Sequence, residues 1–257
     1  MQHNTHKPLL DPKLRRRGIY LLPNLFTTAA LFAGFYSIVQ AMNGRYEAAA
    51  VAIFIAMVMD GLDGRVARMT RTQSAFGAEY DSLSDMVSFG VAPALVIYVW
   101  ALKDMGKLGW IAAFVYCACA ALRLARFNTQ LEVADKRFFQ GLPSPAAAAL
   151  IAGLIWVMHD YGIKGPDIRW LAWGVTLFAG LTMVSNFNFY SGKDINLRRS
   201  VPFAMVLLIV LGFILISLDP AQVLFAAFVL YGLSGYVDWA WQRIRHRRAR
   251  KAAPPEA

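Results

Sequence analysis

Four aspartates stand where carboxylates are costly. Asp60 and Asp63 end the apolar run VAIFIAMVM (51–59), and Asp81 and Asp85 begin another apolar segment. A charged side chain at membrane depth costs about 3 kcal/mol on insertion scales. At about 100° per residue, Asp63 lies about 60° from Asp60 around a helix, and Asp85 about 40° from Asp81. Each pair therefore shares a face. The stretch between them, Met69 to Phe76, carries Thr70, Arg71, Thr72, Gln73 and Ser74. It is short and polar, which predicts a hairpin that opposes the two pairs near the membrane surface. Only Arg65, Arg68 and Arg71 are close in sequence to offset the four charges. Oxygen donors with so little counter-charge suit a hard divalent cation, Mg²⁺ or Mn²⁺, and the cluster has no His or Cys to suit zinc. Taken singly, an aspartate such as Asp81 is ordinarily a helix cap. Four at these offsets are not explained that way. Gly64 and Ala67 share the face of Asp60 and Asp63 and keep it shallow, and Arg68 follows one turn on. A guanidinium there can meet a phosphate through two parallel hydrogen bonds. Gly77, four residues before Asp81, permits close approach of that helix. Metal donors, a basic fork and a shallow face together suggest a diphosphate-bearing ligand, a nucleotide.

The elements that must carry these residues are membrane helices. Of the 257 residues 58% are hydrophobic and 16% charged, against about 25% charged in a typical soluble domain. The apolar residues come in blocks of about 20, the length that crosses about 30 Å of hydrocarbon. This excludes disorder, a disulfide-stapled secreted fold and a typical soluble enzyme. The expected fold is all-α, a polytopic integral membrane protein with about eight transmembrane helices. Their rough limits are 19–42, 47–67, 81–102, 108–128, 143–161, 170–189, 200–218 and 221–241. The basic start, 1–18, runs into an apolar block without a small-residue cleavage pattern, so it reads as the flank of a retained span. Of the 26 Lys and Arg residues, 21 fall on the side that holds both termini and five, Arg45, Lys103, Lys107, Lys164 and Arg169, on the other. Basic loops face the cytoplasm, so both termini are expected there. Topology thus accounts for the net charge of +10, and no nucleic acid is called for. The basic tail, 243–257, should lie against anionic headgroups. Cys117 and Cys119, inside an apolar block, read as small core residues. The connection 126–142, the longest on the cytoplasmic side, is the candidate functional loop.

The stretch D60-G-L-D63-G64-R-V-A67-R68, eight residues, then G77-A-E-Y-D81-S-L-S-D85 resembles the signature of the CDP-alcohol phosphotransferase family. Every position of that pattern is filled at the right spacing. The resemblance implies two divalent ions, one held by Asp60, Asp63 and Asp81 and the other by Asp60, Asp81 and Asp85. It implies that Asp85 is also the base for the acceptor hydroxyl. It implies that Gly64, Arg68 and Ser74 contact the CDP moiety, and that the chain forms a homodimer. Pro23-Asn24-Leu25-Phe26-Thr27 is similar to a family segment near the cytidine, which adds Asn24 and Thr27. The domain reading follows: a basic juxtamembrane segment at 1–18, a six-helix core at 19–189, two additional helices at 190–242 and a tail at 243–257.

Within the family, Leu122-Arg-Leu-Ala-Arg-Phe-Asn128 and Gly141-Leu-Pro-Ser-Pro-Ala-Ala147 are similar to the CDP-diacylglycerol–serine O-phosphatidyltransferases. Serine needs a cation for its carboxylate, so Arg123, Arg126 and Asn128 are candidates; Lys193, Arg198 and Arg199 are alternatives. The implied reaction moves the phosphatidyl group of CDP-diacylglycerol to the hydroxyl of L-serine, releasing CMP, in a multi-pass protein of the cell (inner) membrane with its site at the cytoplasmic interface. Glycerol 3-phosphate, inositol phosphate and choline remain rival acceptors. An ion-coupled transporter is the alternative of another class. It is disfavoured because such sites lie near the midplane between paired repeats.

Overall fold

The computed structural model describes residues 12–70, 72, 74–130, 138–191 and 203–252. The alternative acceptor cations Lys193, Arg198 and Arg199, and the turn residues Arg71 and Gln73, lie outside the described residues.

The described chain is mostly helical, and each of the eight apolar segments contains a helix. Four stretches are long and apolar enough to cross a membrane: Leu22–Met42, Ala75–Met105, Lys107–Thr129 and Pro220–Arg245. Helix α1 (Pro12–Met42) and α2 (Tyr46–Thr70) form an antiparallel hairpin. Its turn uses Gly44 at φ 73°. The two helices are tied where Ser37 Oγ donates to the Ala49 carbonyl at 2.7 Å.

The third span starts at Ala75, six residues earlier than the sequence suggests. It starts there because Ser74 caps it: the Ser74 hydroxyl accepts from the Gly77 N–H at 3.0 Å. The span runs as α3 (Ala75–Asp85), a π-helical turn (Met86–Val91), α4 (Ala92–Ile97) and a second π-helical turn (Tyr98–Leu102). Pro93 accounts for part of this irregularity. Proline has no N–H, so it cannot serve the carbonyl four residues back. In the first π-helical turn the Phe89 carbonyl accepts from the hydroxyl of the fully buried Tyr116 at 2.9 Å.

Tyr116 belongs to α5 (Lys107–Gln130). Next comes α6 (Ser144–Asp160), which forms the centre of the bundle: Ala146 through Leu154 is buried without interruption. Helix α7 (Arg169–Val184) packs against α5 and α6. Helix α9 (Pro220–Ala252) packs along α6, whereas α8 (Phe203–Leu218) meets α9 and leaves most of its large apolar side chains exposed. Cys117 and Cys119 are free thiols within α5.

One feature departs from an all-α reading. Strands β1 (Phe138–Gln140) and β2 (Asn188–Tyr190) pair antiparallel, with Phe139 opposite Phe189. The sixth apolar segment therefore stops being helical at Val184, and the expected 126–142 loop ends in a strand. Residues 131–137 of that loop lie outside the described residues. Gly141 closes the clasp at φ 77°, where a Cβ would overlap the Met183 carbonyl, and its N–H donates to the Phe187 carbonyl at 2.8 Å. Only glycine takes that conformation in that space.

Candidate active site

The aspartates come together through three elements. The C-terminal half of α2 supplies Asp60 and Asp63, and α3 supplies Asp81 and Asp85. Helix α1 holds the two in register by small polar contacts. Ser84 Oγ donates to the Thr27 carbonyl at 3.1 Å, and Ser88 Oγ to the Ala30 carbonyl at 3.0 Å. At Gly34 the helices touch so closely that a Cβ would lie 2.6 Å from Ser88 Oγ. Ser84 and Ser88 follow Asp81 and Asp85 by three residues each, so these contacts also fix how the carboxylates face α2.

Asp60, Asp63 and Asp81 each present one carboxylate oxygen within 4.8 Å of the others. Asp63 meets Asp81, and Asp60 meets Asp85, which stands outside that triad. Asp63 is buried at 5% exposure, and its Oδ2 accepts from Thr27 Oγ1 at 2.7 Å. The same hydroxyl lies 3.2 Å from the Pro23 carbonyl. Its single proton favours the carboxylate, because a charged acceptor makes the stronger bond. Asp81 Oδ1 is buried with no hydrogen-bond partner. An unpartnered buried carboxylate oxygen costs free energy. A cation would satisfy it, so an all-oxygen donor set that includes such an atom fits a hard divalent ion.

A cavity of about 240 Å³ opens beside the carboxylates. Its walls include Asn24, Thr27, Asp63, Gly64, Arg68, Ser74 and Asp81, so all five residues assigned to the CDP moiety line one space. Gly64 forms part of the floor: a Cβ there would sit 3.5 Å from Arg68 Nη1. A Cβ on Gly77 would lie 3.2 Å from Ser74 Oγ and 3.6 Å from Asn24 Oδ1. Sequence reasoning missed Thr72, which is buried, lines the same cavity and lies 2.7 Å from the Thr70 hydroxyl. It also missed the bond from Thr27 to Asp63, since no periodicity links residues 36 apart on different helices.

The three acceptor candidates separate. Arg123 is 8% exposed and acts electrostatically on Asp85 and Asp60. Its Nη1 donates to Ser144 Oγ at 2.9 Å, and its Nε is buried without a partner. Arg126 turns away: its Nη1 donates to the Ser185 carbonyl at 3.4 Å and to Asn186 Oδ1 at 3.5 Å. Asn128 Nδ2 donates to Ser82 Oγ at 2.9 Å, joining α5 to α3 on the exposed side. Of the three, Arg123 is the one whose charge bears on the carboxylates.

Comparison with known proteins accords with this geometry. Residues 20–185 match the CDP-alcohol phosphatidyltransferase family. A CDP-diacylglycerol–serine O-phosphatidyltransferase of Helicobacter pylori is 34% identical over 227 residues, which cover 88% of this chain and 94% of that protein. The enzyme of the same name from Mycobacterium leprae is 41% identical over 165 residues, 62% of this chain and 55% of the relative. That of Saccharomyces cerevisiae is 38% identical over 142 residues, 50% of this chain and 51% of the relative. With well over half of its residues and all four aspartates inside the matched region, the chain belongs to the CDP-alcohol phosphatidyltransferase family.

Proposed function

We propose that this protein is a CDP-diacylglycerol–serine O-phosphatidyltransferase: it transfers the phosphatidyl group of CDP-diacylglycerol to L-serine, giving phosphatidylserine and CMP. The observation that carries this reading is the cavity of Asn24, Gly64, Arg68 and Ser74 that opens beside Asp63 and Asp81; the buried Arg123, whose charge bears on Asp85 and Asp60, adds to it. Names and length of match of the relatives support serine as the acceptor.

The donor's CDP moiety lies in the cavity, with Arg68 against its diphosphate. The acceptor's carboxylate lies toward Arg123. Asp60, Asp63 and Asp81 hold one Mg²⁺ or Mn²⁺, and Asp60, Asp81 and Asp85 a second. When bound, such ions offset charge on the attacking and leaving oxygens of a phosphoryl transfer. The chain's own residues do the rest. Thr27 orients Asp63 by their hydrogen bond, and Asp85 takes the serine hydroxyl proton. The new bond joins the serine oxygen to the lipid-bearing phosphorus, and the bond from that phosphorus to the bridging oxygen of CMP breaks. No protein nucleophile is needed, because phosphoryl transfer depends chiefly on positioning and charge neutralisation.

The wider reading is an eight-span protein of the cell (inner) membrane, with both termini and the site facing the cytoplasm and a homodimeric assembly. The core 19–189 carries the donor site, and 190–242 adds two helices. Membranes given CDP-diacylglycerol, Mg²⁺ or Mn²⁺ and one alcohol at a time test it by CMP release. Serine is the expected acceptor. CMP formed only with glycerol 3-phosphate, inositol phosphate or choline overturns the acceptor, and serine transport into liposomes without CMP overturns the reaction.

A further inference from the structure

Three contacts fix how α5 lies along the third span. Tyr116 Oη donates to the Phe89 carbonyl at 2.9 Å. A Cβ on Gly90 would lie 3.1 Å from the Met86 side chain and 3.2 Å from Ala120, so Ala120 abuts that turn. Asn128 Nδ2 donates to Ser82 Oγ at 2.9 Å. The two helices therefore run antiparallel, 116 beside 89 and 128 beside 82. At about 100° per residue Tyr116, Ala120 and Arg123 share one face of α5. Arg123 falls between Ala120 and Asn128, which sets it level with the stretch from Met86 back to Ser82 that contains Asp85. The charge of Asp85 bears on Arg123, in keeping with that level.

The start of α6 holds Arg123 at that level. Its Nη1 donates to the hydroxyl of Ser144, the first residue of α6, at 2.9 Å. Among the described residues this is its one hydrogen bond, no carboxylate forms an ion pair with it, and its Nε is buried without a partner. A guanidinium has five N–H donors, so most of its capacity is unused. The seat is also a poor one for a cation. No side chain caps the first turn of α6. The N–H groups of a first turn have no partner within the helix, and the helix dipole makes that end positive. A full charge and a positive helix end thus converge, an arrangement that an anion between them would stabilise. The acceptor in the proposed reaction brings such an anion. Serine has one carbon between its carboxylate and the carbon that bears its hydroxyl. With the hydroxyl at Asp85, the carboxylate comes to the level of Arg123. Ser144 is itself fully buried, so it acts through the guanidinium and does not touch the acceptor.

We propose that Ser144 is a positioning residue for the acceptor: from the first turn of α6 its hydroxyl holds the Arg123 guanidinium level with Asp85, with the remaining N–H donors left for the acceptor's carboxylate. Helix α6, which carries none of the aspartates, thereby takes part in acceptor selection. This rests on the reading of serine as acceptor.

The test is steady-state CMP release by the purified full chain, with serine and CDP-diacylglycerol varied in turn. Ser144→Ala removes the hydroxyl that accepts from Arg123 and leaves a good helix former in the first turn. The KM for serine should rise about tenfold, as expected for the loss of one hydrogen bond to a charged group. The kcat and the KM for CDP-diacylglycerol should stay within about twofold. Thr176→Val is the control. It removes another fully buried hydroxyl, which bonds to the Ala172 carbonyl of its own helix at 2.7 Å, and it should leave the serine KM within about twofold. An unchanged serine KM in Ser144→Ala, a parallel loss in kcat and both KM values, or an equal shift in Thr176→Val overturns the proposal. If Ser144→Ala does not accumulate, Ser144→Cys, close in size and a weak acceptor, is read in the same way. Failure of both to fold makes Ser144 a structural residue and also overturns it. Wild-type protein with no serine-dependent CMP removes the serine reading itself, whereas serine-dependent wild type with an unshifted Ser144→Ala removes only this inference.

Discussion

At the scale of single residues, the site divides into groups that meet the reaction and groups that hold those in place. Asp85 faces Asp60 but stands outside the tight triad, a position suited to a base rather than to a ligand alone. Asp85→Asn should leave the protein inserted and folded while CMP release falls by about 10² to 10⁴, the usual contribution of general base catalysis. Turnover like wild type would remove Asp85 from the chemistry. Thr27 acts through Asp63. A hydrogen-bonded partner of a metal-ligating group typically accounts for about 10- to 100-fold in metal affinity. Thr27→Val should therefore raise the half-saturating Mn²⁺ or Mg²⁺ concentration by about that factor, measured by titrating metal into chelator-treated protein. Asp63, Gly64 and Arg68 were legible in the sequence because their offsets from Asp60, three, four and eight, belong to one face of one helix, and Asp81 and Asp85 because four positions apart they share a face of the next. Thr27 was legible only as part of a similar segment, and its bond to Asp63 was not legible at all.

At the scale of elements, the third span decides the register of the carboxylates. It carries Asp81 and Asp85 at one end and a proline with two π-helical turns further along. Its seat on α1 is a row of close contacts at Thr27–Ser84, Ala30–Ser88 and Gly34–Ser88. Gly34→Val should overpack that row. A loss of about 1 to 3 kcal/mol in stability is expected, seen as a lower thermal midpoint together with reduced CMP release. Tyr116→Phe should act by a different route. It removes the buried hydroxyl that donates to the Phe89 carbonyl, at a cost of about 1 to 3 kcal/mol. A thermal midpoint equal to that of wild type would show that the carbonyl finds another donor. Helix existence was legible from apolar blocks of membrane length. The early start of α3 was not, because it depends on one capping serine among polar turn residues. Strands β1 and β2 were not legible either: three residues are too few for an alternating pattern, and the partners lie about fifty positions apart.

At the scale of the whole molecule, the bundle turns one end into the chemical end. The charge asymmetry of 21 against five basic residues predicts that this end faces the cytoplasm. Single cysteines at Gly162 and at Ala249 of the basic tail, in a chain with Cys117 and Cys119 replaced by alanine, should react with an impermeant thiol reagent from opposite sides of sealed vesicles. Labelling of both from one side would overturn the orientation. Helix α6 links the site to the C-terminal region: its Ser144 accepts from Arg123, and α9 packs along it.

The sequence by itself determined the membrane class, the helical segments, the four aspartates and the family resemblance. All of these rest on composition and on spacings within one helix, which a linear chain states directly. The tertiary structure decided what each candidate acceptor residue meets. Arg123, Arg126 and Asn128 lie within six positions on one helix, yet they point to Ser144, to the β2 turn and to Ser82. At 100° per residue their directions diverge, and what each meets depends on neighbours brought in from elsewhere in the chain. The same holds for α9, whose seat along α6 and β2 follows from close contacts at Gly153, Gly232 and Gly235.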